Sequence, residues 1–168
     1  MVRRFVLATA AALAGITGFD AMAADPLPTE TYKVLPTALA LEAAQAALAS
    51  CKAQGYNVTV SVVDRMGLSK ILIVGDSASP TGRGLAPRKA YTSALRKITT
   101  GELAKRVSVP GAFNPTVFDP QMVTERGGVP ILADKETIGA IAVSGAPGGE
   151  KDEACAEAGI AKISDRLK

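Results

Sequence analysis

A chain of 168 residues with 19 basic and 16 acidic side chains carries a net charge of +3. That is too slight to mark a nucleic-acid binder, and no basic cluster is interleaved with aromatics. The chain has no histidine, which removes the commonest general base and the commonest metal ligand together.

The N-terminus reads as a secretory signal peptide over residues 1–23. Arg3 and Arg4 form a positive start, an apolar run spans Phe5 to Ile16, and Ala21-Met22-Ala23 gives a small-residue cleavage pattern. The apolar run is shorter than the ~20 residues a membrane span needs; the alternative is an uncleaved anchor. Loss of Arg3, Arg4 and Asp20 with the leader takes the net charge from +3 to +2. The expectation is an exported protein, periplasmic or secreted, without membrane insertion after cleavage. Residues 24–36 hold Pro26, Pro28 and Pro36 and read as an extended leader. Residues 37–168 make one domain of ordinary size. Half the chain is apolar but aromatics are scarce and Trp is absent, so the core must be built from Ala, Val, Ile and Leu.

A first helix is predicted from Thr37, as its cap, to Gln54, with Leu39, Ala40, Ala43, Ala44, Ala47 and Leu48 at helical spacing and Gly55 as the stop. Asn57 to Asp64 alternates like a half-buried strand, Arg65-Met66-Gly67 is a hairpin turn, and Leu68 to Val74 returns. Gly75 to Gly84 reads as a loop. A second helix follows from Ala86 to Ile98, with Pro87 in its first turn. Thr100-Gly101 interrupts it, and Glu102 to Arg106 adds a helical turn. Val107 to Met122, with Pro110, Gly111, Pro115 and Pro120, is a long loop of the kind that often carries function. Val129 to Ala133 and Ile138 to Ser144 are strands around a turn, Gly145 to Gly149 bends, and Glu150 to Leu167 is the last helix. Its acidic start and basic end suit the helix dipole. Strand pairs joined by tight turns imply an α+β fold with an antiparallel sheet flanked by helices.

Cys51 and Cys155 lie near the ends of the first and last predicted helices. Export permits a disulfide between them. If those helices pack side by side the bond closes a long loop, worth about 4–5 kcal/mol in the chain-entropy picture. The alternative is two unrelated buried thiols.

The glycine-rich stretch from Ser144 to Asp152 follows a strand and opens a helix, a place where backbone amides can cradle a phosphate or carboxylate. It matches neither phosphate-binding fingerprint, and its acidic helix start opposes an anion, so a tight strand-to-helix turn is the favoured reading. Asp64, Asp119, Glu150 and Asp152 sit near predicted turns, and nothing in the spacing pairs two of them for acid–base work; capping and turn roles are expected. No calcium-loop pattern is present. Arg83, Arg88, Lys89 and Lys97 suggest a local cationic patch, against a solvated helix face as the plain alternative. Tyr91 and Thr92 stand in the middle of the same helix.

Three segments together resemble the GlcG/HbpS-like family of small haem-binding proteins: VTVSVVDRMG from Val58 to Gly67, RKAYTSA from Arg88 to Ala94, and GGVPILADKETIGAIAVSGAPGGEKDEACAEAGI from Gly127 to Ile160. The resemblance spans about Leu39 to Ile163. It implies a profilin-like antiparallel five-stranded sheet flanked by helices, assembly into homo-oligomers, often octamers, and haem as a cofactor in secreted members. It further implies Thr92 as the position linked to haem iron. Chemistry adds Arg88 and Lys89 as partners for haem propionates, and Tyr91, Phe113 and Phe118 as cover for a porphyrin face. Threonine is a weak, hard iron ligand, so without histidine the iron would be held loosely or by Met, Tyr, Lys or Thr. The function expected is non-catalytic haem binding, for capture or redox sensing. Two other readings stand beside it: an oligomeric accessory or scaffold protein for a partner enzyme or sensor, and a protein that binds, or turns over, a small organic acid such as glycolate.

Overall fold

A computed structural model describes residues 30–168. The expected signal peptide, residues 1–23, and most of the leader lie outside the described residues, and Glu30 to Pro36 runs without regular structure. From Tyr32 onward the chain forms one compact unit. Four strands make one antiparallel sheet in the order β2-β1-β4-β3: β1 (Thr59–Asp64), β2 (Ser69–Val74), β3 (Gly128–Ala133) and β4 (Glu136–Ser144). The fifth strand implied by the family resemblance is not formed among the described residues. The segment between 108 and 126 carries Pro110, Pro115 and Pro120, which withhold ladder N–H groups; it makes only one 3-10 turn, Pro115–Val117.

Register sorts the side chains. Val60 faces Val143 and Val62 faces Ile141, so these four share one side with Ile131; Thr59, Ser61, Val63, Ala140, Ala142 and Ser144 share the other. Helices α1 (Thr37–Ala53) and α4 (Gly149–Ile163) cover the first side. Small residues set their spacing. Ala40, Ala43, Ala44, Ala47 and Cys51 recur along α1, and a side chain at Gly159 of α4 would come within 2.5 Å of the Ala43 carbonyl. The expected Cys51–Cys155 disulfide is present, with 5.6 Å between the Cα atoms.

Helix α2 (Pro80–Arg96) covers the second side. It starts six residues before the expected Ala86. Ser79 accepts a hydrogen bond from the Gly82 amide at 3.0 Å, and Pro80 occupies the first helical position, a favourable start. Pro87 therefore lies inside the helix and not in its first turn. Gly82 belongs there because a side chain would meet the Ser144 carbonyl at 2.8 Å. The left-handed Lys97 ends the helix. Helix α3 (Thr100–Val107) is capped by Thr99, so Thr100 and Gly101 open a helix where an interruption was expected. Thr37 is the first helical residue of α1 and not its cap.

Candidate functional site

Helix α2 is the hub. Residues 88, 91 and 92 stand at helical spacings of three and four, which places them on one face. All three fasten the segment 108–126 across that face. Arg88 donates from Nη2 to the Pro120 carbonyl at 2.7 Å and reaches those of Gln121 and Met122 at 3.4 Å. The Tyr91 hydroxyl donates to Asp119 Oδ2 at 2.8 Å, which holds the phenol above its ordinary pKa because the bond to the carboxylate favours the protonated form. Thr92 is fully buried; its Oγ1 donates to the Arg88 carbonyl at 2.8 Å and accepts from the Val123 amide at 2.9 Å. The Thr92 hydroxyl therefore has no open approach from solvent in this arrangement. Further along the strap, Phe113 and Phe118 stack with ring centres 5.3 Å apart and are mostly exposed, and the Arg96 guanidinium lies 6.0 Å from the Phe113 ring.

Lys89 leaves α2 in a different direction. Its side chain is 3% exposed and donates to Asp152 Oδ2 at 2.9 Å and to the Val143 carbonyl at 3.2 Å. Asp152 turns its other oxygen to the Ala146 amide at 2.9 Å. Burial pushes the Asp152 carboxyl up; Lys89 and the Ala146 and Gly145 amides pull it partly back. This ion pair ties α2 to the end of β4 and the start of α4. Beside it Arg126 forms a two-pronged bond to Glu153 at 2.8 and 3.2 Å. The starts of α2 and α4 and the end of β4 enclose a cleft of about 480 Å³ over these groups.

The cationic patch expected from sequence is thus dispersed. Arg83 is exposed, Arg88 grips the strap, Lys89 is buried against Asp152, and Lys97 is the helix cap. Of the carboxylates expected in turn and capping roles, Asp152 departs, being buried against Lys89, while Asp64 and Asp119 hold turns. Asp64 accepts from the Met66 and Leu68 amides, and Asp119 from Gln121. Sequence reasoning missed the Lys89–Asp152 pair and the Arg126–Glu153 fork. The one local signal was a lysine adjacent to Ala90 on the apolar stripe of a helix. Among the described residues no three His, Cys, Asp or Glu side chains gather to hold a metal ion.

Residues 35–161 match the family described as haem degrading protein HbpS-like. The chain belongs to this family. It is similar to the crystal structure of HbpS, with 36% identity and a TM-score of 0.74 over 83% of this chain and 96% of that one. A double mutant of HbpS from Streptomyces reticuli gives 35% identity and a TM-score of 0.72, over 83% and 97% of the two chains. A crystallised complex of PduOC with heme is 29% identical at a TM-score of 0.72, covering 78% of this chain and 96% of that one. No curated protein matches the chain.

Proposed function

We propose that this chain is an exported haem-binding protein that holds haem for capture and does not degrade it. The observation that carries the reading is the likeness, over nearly all of that domain, to PduOC, which was crystallised with heme. Haem needs a flat apolar cover, cations for its propionates and an iron ligand. The exposed Phe113–Phe118 stack offers the cover, and Arg96 beside it offers a cation. Ligands are less ready: Thr92 is satisfied on both sides by backbone, Lys89 is committed to Asp152, and Asp119 keeps the Tyr91 phenol protonated. An iron without a strong, fixed ligand suits reversible loading better than oxygen activation, which depends on axial-ligand identity and a tuned distal pocket.

Haemin titration tests the binding: a shifted Soret band that saturates at one haem per chain is expected, and a free-haem spectrum throughout would overturn it. Capture is tested by adding reductant and oxygen to the loaded protein. The Soret band should persist; its stoichiometric loss with formation of an open-chain tetrapyrrole would mean degradation instead. Export rests on the leader sequence, and N-terminal sequencing of protein from its native host should start at Ala24. Assembly into a homo-oligomer, an octamer by the resemblance, is supported by exposed Met66, Leu68, Phe113 and Phe118, and light scattering of purified protein measures it.

A further inference from the structure

The edges of the sheet, β3 and β2, differ in what they offer a further strand. On β3, the Gly127 carbonyl accepts from the Val143 amide at 3.0 Å. Alternation along an antiparallel ladder then turns the backbone groups of Val129 toward β4 and those of position 130 outward. Position 130 is proline, which has no N–H to donate, so this edge is blunted. On β2, the Gly75 amide donates to the Val58 carbonyl at 3.0 Å. By the same alternation Ile71 and Ile73 bond to β1, while the N–H and C=O of Leu72 and Val74 point away from the sheet. No proline interrupts Ser69–Val74, and its only charge is Lys70. Leu72 and Val74 are 48% and 45% exposed. An open edge with apolar side chains is a template for another strand.

We propose that the occupant is β2 of a second copy of this chain, paired antiparallel across a two-fold axis at Ile73, so that two sheets become one. In this register Leu72 lies opposite the partner's Val74, and these two exchange the N–H and C=O groups that each chain leaves pointing outward. Their side chains meet as an apolar cross-strand pair. The charges select the same register. Two positions beyond that pair, Lys70 lies opposite the partner's Asp76. Among the described residues neither Lys70 nor Asp76 joins an ion pair, and Asp76 is exposed. A strand rises about 3.3 Å per residue, so Lys70 and Asp76 of one chain stand roughly 20 Å apart and cannot meet each other. A two-fold axis makes the surface self-complementary, so the charge pair forms at both ends. An axis at Leu72 would instead set Lys70 against Val74. The proposal rests on the homo-oligomer reading above and names the surface that reading leaves open; it is independent of haem.

Hydrogen exchange on the full protein reads this edge without any substitution. In the assembled particle the Leu72 and Val74 amides should exchange as slowly as those of Ile71 and Ile73. On dilution to the separated chain, Leu72 and Val74 should quicken and Ile71 and Ile73 should not. K70D and D76K should each weaken self-association about tenfold, because the pairs at both ends turn repulsive together. The mass by sedimentation should then fall by at least half at a concentration where the parent stays assembled. The double variant K70D/D76K should restore the parent's mass. All three should keep the parent's circular dichroism, since neither residue is buried. Fast exchange at Leu72 and Val74 in an assembled particle would overturn this surface and keep assembly. A parent that sediments as a single chain at every concentration would overturn both. Single reversals that leave the mass unchanged, or a double reversal that does not restore it, would overturn the pairing through Lys70 and Asp76.

Discussion

The two sides of the sheet are built from different materials. The side under α1 and α4 is a continuous apolar core of Val, Ile and Ala, in which Val60, Val62, Ile141 and Val143 are completely buried, and a disulfide joins its two helices. The side under α2 has a small apolar cluster, Val63, Ala90, Ala94, Ala140 and Ala142, surrounded by buried polar groups: Lys89, Asp152, Thr92, Thr100, Thr59 and Ser61. Apolar burial stabilises without regard to partner, whereas a buried polar group stabilises only when its partner is in place. The first side therefore holds the fold together whatever is bound. The second side has a stability that depends on which of its polar groups are satisfied, and it carries the cleft, the strap and the exposed aromatic pair.

The largest effect that would break this contrast is at Lys89. Replacing it with Met leaves the Asp152 carboxylate buried with only amide partners, and should cost about 3–5 kcal/mol at neutral pH by urea denaturation. Adding Asp152→Leu should recover most of that loss, because the pair is then replaced by apolar contact. The sign of the pH dependence follows from the raised Asp152 carboxyl. In the window between the ordinary carboxylate range and the raised folded value, the folded chain binds more protons than the unfolded one. This group's contribution is thus full below the ordinary range and lost as pH rises through the raised value. The single variant should be rescued by mild acid; the double variant should lose this part of the slope. A cost under about 1 kcal/mol for Lys89→Met would mean that the pair does not hold the α2 side, since that is the scale of an exposed pair.

On the opposite side, serine at both Cys51 and Cys155 removes a link across 104 residues of sequence and should cost about 2–4 kcal/mol. Hydrogen exchange should rise in α1 and α4 and change little in α2. Equal loosening on both sides would show that the sheet couples them more tightly than their contents suggest.

What the sequence disclosed differs by side in the same way. The facing of Val58, Val60 and Val62, the Ala spacing of α1 and the pairing of Cys51 with Cys155 had local signals, and the structure bears them out. But β1 is buried on both faces, and not half-buried as its alternation suggested, because α2 covers Thr59, Ser61 and Val63. The α2 side depends on contacts between residues far apart in the chain. Arg88 and Lys89 are neighbours in sequence, but about 100° per helical residue sends one to the strap and the other into the core. Asp152 is 63 positions from Lys89, and Val123 is 31 from Thr92; neither separation has a local signature. The early start of α2 was legible in Ser79-Pro80, and the glycines at 82 and 84 concealed it by resembling loop chemistry.

The strap itself supplies two smaller tests. Thr92→Val keeps the shape but leaves the buried Val123 amide without an acceptor, which should cost about 1–3 kcal/mol. Exchange should quicken at Val123, and the Soret band of haem-loaded protein should stay where it is, because the hydroxyl is already satisfied by backbone. A moved Soret band would show that the strap lifts and lets Thr92 reach the iron.

Smallest is Tyr91→Phe, which removes a partly buried bond to Asp119 and should cost about 0.5–1.5 kcal/mol. Its sharper readout is ultraviolet titration of the tyrosines. The Tyr91 phenol is displaced upward, by its bond to Asp119 first and by burial second. One ionisation should come late in the parent and vanish in Tyr91→Phe, while Asp119→Asn should bring it back toward the ordinary range. Stability drawn from this bond is full below the ordinary tyrosine range and fades as pH rises through the displaced value. If Asp119→Asn leaves the late ionisation untouched, the strap is not anchored at Tyr91 in solution, and Arg88 with Thr92 must hold it alone.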